Sequence, residues 1–164
     1  MTEPALKDFL ALSVDLTAFP EVDLLGTGLA EQYLDKVRAA CTDAVVADLF
    51  AVHRAARAEA GGDPDGLDRA LRHRMFSDER LGPVARAVIK LWYAGMWYGL
   101  PPEWTDCFGA QAAAETSSVT AASYQEGLLW RAIGANPPGA KAPGYGAWAQ
   151  PPRIDDRYLK GATP

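Results

Sequence analysis

Gly82-Pro-Val-Ala-Arg-Ala-Val-Ile-Lys-Leu-Trp-Tyr-Ala-Gly-Met-Trp-Tyr-Gly-Leu-Pro-Pro102 is the stretch on which the fold turns. Gly82-Pro83 opens a helix, since proline is at home in a first turn. Val84, Val88, Ile89, Leu91, Trp92 and Met96 then recur at three- and four-residue spacing, the period of a helix with one buried face. Tyr93, Trp97 and Tyr98 carry aromatic character around its end, and Leu100-Pro101-Pro102 stops it. A helix this apolar needs other helices to cover it, and the flanking sequence supplies them.

Upstream, Leu6, Phe9, Leu10, Ser13 and Leu16 form one face of a first helix, ended at Phe19-Pro20. Leu29, Tyr33, Leu34 and Val37 make a second stripe after Gly26-Thr27-Gly28. Thr42 or Asp43 caps a third helix whose buried side is Val45, Val46, Leu49, Phe50 and His53. Gly61-Gly62 is a break. Asp63 as cap with Pro64 behind it starts a short helix carrying Leu67, Ala70 and Leu71. Ser77 or Asp78 leads into the apolar helix. Residues 103–120 are mixed, with Trp104, Cys107 and Phe108 near a turn. A last helix is expected over about Ala121–Ala135, with Trp92 and Trp130 read as mainly core. Period-2 strands of useful length and internal repeats are not visible. The expected fold class is all-α, a compact bundle of five to six helices.

Beyond Ala135 the chain changes character. Asn136–Trp148 holds three prolines and three glycines in thirteen residues, which rules out helix and ordinary strand. It also holds Tyr145 and Trp148, large rings with no helix around them. The expected organisation is a bundle over 1–135 and an extended docking arm over 136–164. Prolines lower the ordering cost of such an arm and the rings supply area to bury, so Tyr145 and Trp148 suit recognition of a partner.

The chain has 164 residues, 49% hydrophobic and 23% charged, with a net charge of −5. This is the balance of an ordinary globular domain, and its acidity argues against nucleic-acid binding. No run approaches the roughly 18 apolar residues that cross a bilayer. Met1–Asp8 has no basic, apolar or twin-arginine leader. A cytoplasmic chain, one exported with a signal-bearing partner, or one already processed would each look like this.

Catalytic constellations are thin. His53 sits on an apolar face, where a hydrogen-bonded core histidine is expected, and His73 lies in the charged Arg69–Arg74 run. Asp63, Asp65 and Asp68 imitate the start of a calcium loop, but its twelfth position is Arg74 rather than glutamate. Gly26-Thr27-Gly28 lacks the third glycine and the preceding strand of a dinucleotide fold. Asp155-Asp156 points to opposite sides of an extended chain. Cys41 and Cys107 form no metal or CxxC pattern. Cys41 closes an amphipathic helix and is expected to be packed, whereas Cys107 is reachable and is the better candidate for a bond to a partner. Catalytic, cofactor and metal residues are therefore expected to be none. After the arm, the face around Trp97 and Trp104 is the next candidate interface.

Leu91-Trp-Tyr-Ala-Gly-Met-Trp97, Tyr124-x-x-Gly-Leu-x-Trp-Arg-Ala-Ile-Gly-Ala135, Pro137-Pro-Gly-Ala-Lys141 and Pro143-Gly-Tyr-Gly-Ala-Trp148 together resemble the small subunit of membrane-bound, FAD-containing sugar dehydrogenases, the sorbitol and fructose dehydrogenase type. Phe9-Leu-Ala-Leu-Ser13 and Thr17-Ala-Phe19 are similar to the opening of that family. The resemblance implies a non-catalytic subunit that supports folding, stability and export of a large partner. In such complexes FAD and the catalytic base belong to a large subunit of the glucose-methanol-choline type, and a cytochrome c subunit often carries the electrons onward. It also implies a periplasmic or membrane-associated location through the complex, and adds Pro138 and Lys141 to Trp97, Trp104, Cys107, Tyr145 and Trp148 as interface residues. The competing expectation is a stand-alone helical module that binds protein or carbohydrate.

Overall fold

The computed structural model describes residues 3–109, 115–138 and 140. Among them the chain is essentially all-α. The elements run α1 (Glu3–Thr17), α2 (Glu21–Gly26), α3 (Ala30–Ala40), α4 (Asp43–Ala60), α5 (Pro64–Leu71), a π-turn (Arg72–Phe76), α6 (Leu81–Ala94), β1 (Met96–Trp97), α7 (Pro102–Phe108), β2 (Ser117–Ser118), α8 (Ala121–Gln125) and α9 (Leu128–Ala132). The strands form one two-residue antiparallel pair, Met96 opposite Ser118 and Trp97 opposite Ser117.

The apolar helix takes the central place its sequence demands. Helix α6 packs on α1, α4 and α9, and buries Val84, Ala85, Val88, Leu91 and Trp92. Trp92 is the hub. Phe9 stacks beside it at 6.1 Å between ring centres, and Tyr33 meets it edge-on at 4.8 Å, the geometry the ring quadrupole favours. The indole N–H donates to Ser13 Oγ (2.9 Å), whose hydroxyl donates to the Phe9 carbonyl (2.7 Å), so Trp92 and Ser13 are both answered, whereas the buried Tyr33 hydroxyl has no partner among the described residues.

Helix boundaries follow local chemistry. Thr42 Oγ1 accepts from Val45 N–H and Asp63 accepts from Asp65 and Gly66, so both expected caps are in use. Asp78 Oδ1 accepts from Arg80 and Leu81 N–H and opens α6 (2.9 and 2.7 Å). Helix α1 ends where Ala18 turns left-handed, at φ 60°, one residue ahead of Phe19-Pro20. Gly95, at φ 69°, ends α6 before the prolines are reached, which leaves Met96 in β1 rather than in the helix.

Three expectations need correction. Residues 21–26 form the short helix α2, which carries one buried side chain, Leu24. The expected last helix is two: Gly127 takes an extended ψ of 131° and separates α8 from α9. Its Cα lies so close to Tyr93 O that a Cβ would sit 2.7 Å away, so the break serves a backbone approach to α6. Residues around Cys107 are helical, in α7, rather than a turn.

Candidate functional site

The sequence offered two places for chemistry, the titratable pairs of the bundle and the aromatic C-terminal third. Of the first, His53 is buried, 2% exposed, with Nε2 2.7 Å from Asp15 Oδ2; Arg57 Nε approaches the same oxygen at 3.5 Å. A carboxylate acceptor at Nε2 requires that nitrogen to carry the proton. The imidazole is thereby held as a strut between α1 and α4, out of reach of a substrate. Burial pushes the Cys41 thiol up to about 12, so it supplies no thiolate at neutral pH. Burial, reinforced by the charge of Glu126, raises the Tyr33 hydroxyl as well. His73 lies on the exposed wall of the π-turn, among the pairs Arg74–Glu59 (2.6 Å) and Arg69–Asp63 (3.4 Å). Asp63 and Asp68 are spent on a cap and on Arg72 (2.7 Å). Among the described residues no three His, Cys, Asp or Glu are placed to hold a metal ion, and no helix is long and apolar enough to cross a membrane.

The aromatic third is built differently. The Thr120–Ser123 capping box starts α8, and Ser123 Oγ donates to Gly95 O (2.7 Å), which fastens α8 to the end of α6. Leu128, fully buried, fastens α9 to α6. Arg131 reaches Asp23 of α2 at 2.9 Å and lies over the Phe19 ring at 5.9 Å. With Leu128 inward and Arg131 to one side, Leu129 and Ile133 face outward, four residues apart on one stripe. Their exposures are 39% and 41%, and Tyr124 shows 39%. Trp130 stands edge-on to Tyr124 at 5.3 Å and donates its indole N–H to Tyr124 O (2.7 Å). The result is an outward aromatic–aliphatic face on α8 and α9, and the chain leaves it directly. Ala135 N–H returns to Trp130 O (2.9 Å), and Pro137, just beyond, is buried.

The interface residues expected from sequence are scattered. Trp97 is fully buried in β1, and Trp104 is 4% exposed with its indole N–H on Arg80 O (2.7 Å). Both indoles belong to the core, and what the face around them presents outward is Tyr98, 47% exposed, and Phe108, whose ring lies 5.9 Å from that of Trp104. Trp130, read as mainly core, is half-buried, while Leu128 occupies the fully inward position of α9. Cys107 is exposed on α7 with a free thiol, and Cys41 is buried as expected. Pro138 is exposed next to the α8–α9 face. Lys141, Tyr145 and Trp148 lie outside the described residues. Leu129 and Ile133 were missed by the sequence reading; the period set by Leu128 could have found them. Comparison of the chain with protein-family models, with curated proteins and with solved structures finds no significant match.

Proposed function

We propose that this chain is a non-catalytic accessory subunit of a flavin-dependent sugar or alcohol dehydrogenase. It docks on the large FAD-containing subunit through the α8–α9 face and the arm that follows, and FAD and the substrate site belong to that partner. The observation that carries the reading is the outward cluster of Tyr124, Trp130, Leu129 and Ile133 at the root of a Pro/Gly/aromatic segment. Contiguous apolar surface on a small domain marks an interaction site. The motif that resembles the dehydrogenase small subunits runs through these same helices. The partner's compartment, periplasmic or at the membrane surface, and a cytochrome c as electron acceptor are part of the same proposal.

The test is co-purification. The tagged chain is expressed with its genomic neighbours, and the eluate is examined for a large yellow protein with dye-reducing activity towards sugars. Leu129→Glu and Ile133→Glu place charges on exposed positions, so the bundle keeps its melting point. Recovery of the large subunit falls by about tenfold or more for each, as for a central interface residue. Flavin bound in stoichiometric amount by the chain alone, or undiminished recovery with both glutamates, overturns the proposal.

A further inference from the structure

A groove of about 500 Å³ opens between α1, α3 and α4, with no residue of α8 or α9 in its lining. Four charged side chains line it: Asp8, Arg38, Asp43 and Arg54. Two of them answer each other, Arg54 Nη1 donating to Asp8 Oδ2 at 2.7 Å. The other two do not. Neither the Arg38 nor the Asp43 side chain makes a hydrogen bond or ion pair among the described residues. The Nε–H of Arg38 is shut away from water with no acceptor. A buried charged donor without a partner is unfavourable, and Arg38 is one of the residues that line the groove. Val46 and Phe50, both buried, give the groove an apolar floor.

This lining selects a ligand class. A plain anion gains from Arg38 but is repelled by Asp43, because Asp8 and Arg54 already cancel. A plain cation meets the converse. A zwitterion is attracted by both unanswered charges at once, and an apolar body attached to it lies along the wall that Ala5, Val46, Ala47 and Phe50 form. The volume lies within the roughly 300–1,000 Å³ usual for small-molecule sites. We infer that this groove binds a small zwitterion with an apolar body, an α-amino acid such as phenylalanine or leucine, its carboxylate on Arg38 and its ammonium on Asp43. The site is independent of the accessory role proposed above.

The experiment is a titration of the isotopically labelled full chain, following the backbone amides of Val46, Ala47 and Phe50. Three probes of one shape are compared: L-phenylalanine, 3-phenylpropanoate without the ammonium, and 2-phenylethylamine without the carboxylate. L-phenylalanine is expected to saturate these amides with a dissociation constant on the order of millimolar, as suits a ligand of this size. The other two are expected to bind about fivefold or more weakly, for want of one charge-assisted contact. Arg38→Gln weakens phenylalanine about tenfold, Asp43→Asn brings it level with 3-phenylpropanoate, and Arg86→Gln, at a residue that does not line the groove, changes nothing. If circular dichroism shows Arg38→Gln to be misfolded, Arg38→Lys, which keeps the charge but loses the planar fork, and Asp43→Asn carry the comparison. The inference is overturned by any of three results: no saturable shift up to the solubility limit, phenylalanine binding that both position-38 variants leave intact, or equal affinity for phenylalanine and 3-phenylpropanoate.

Discussion

At the scale of residues, the two cysteines show how position decides chemistry. Cys41 sits at the end of α3, where its backbone bridges Gly109, and is 1% exposed; Cys107 is on an open helix face. A thiol reagent should therefore modify one cysteine in the native chain and two in denaturant, with Cys107 the native target by mass analysis. Burial lifts Cys41 from 9.0 to about 12. Its contribution to stability is whole below about pH 9. It is lost as pH climbs towards 12, because the unfolded thiol releases its proton there and the folded one does not. At pH 10 the loss is on the order of 1 kcal/mol. Urea unfolding of wild type and Cys41→Ala at pH 7 and pH 10 isolates this term, since other groups cancel in the difference. Equal slopes in the two proteins would show that the thiol is not protected.

At the scale of elements, the junction between α6 and α8 is the tightest test of the fold. Gly95 is left-handed at φ 69°, and a Cβ there would run into the Ser123 carbonyl; Gly61 is left-handed at φ 57° with open space around it. Gly61→Ala thus meets backbone strain alone, about 1 kcal/mol, whereas Gly95→Ala adds a collision between backbones and should cost about 3 kcal/mol or more. For a chain of this size that separates the two melting points by roughly 4–8 °C, which differential scanning calorimetry resolves. These same elements show what was legible beforehand. Stripes such as Tyr33–Leu34–Val37, caps such as Thr42 and Asp63, and the core placement of His53 all rest on spacing along the chain, and they hold. Helix α2 has only Leu24 to bury, too little to make a pattern in six residues. The break at Gly127 answers Tyr93, and Asp15 answers His53 across 38 residues. Both depend on a tertiary neighbour that no local window contains. Trp97 and Trp104 looked like surface because neither lies in a long amphipathic helix; the core closes over them through β1 and through Arg80 O. The orphaned Arg38 was invisible for the same reason, since a missing partner is a property of space.

For the molecule as a whole, the core cluster of described residues runs from Phe9 to Leu128, and Pro137 is buried beyond it. A chain ending at Ala140, which keeps Pro137, should retain its far-ultraviolet circular dichroism and melt within a few degrees of the full chain, because every helix and buried residue described is kept. The same truncation should abolish or strongly weaken recovery of the proposed partner. A truncated chain that unfolds would show the arm to be part of the core; one that recovers the partner as well as wild type would leave α8 and α9 as the whole docking surface. The exposed ion pairs, such as Arg72–Asp68 and Arg54–Asp8, add little to this balance, because solvent screens them.

The Trp92–Ser13 bond joins residues 79 positions apart, and Tyr93 O–H closes on Thr17 O across 76. On the ribosome, then, α1 emerges long before the helix that covers it. At the usual roughly 5–20 residues per second, its apolar face waits about 4–16 s for α6 to be made. During that interval Phe9, Leu10 and Leu12 are an open invitation to a holdase or to a neighbouring nascent chain. Synthesis speed across codons 20–95, rather than the strength of any finished contact, is where the yield of this protein is most exposed.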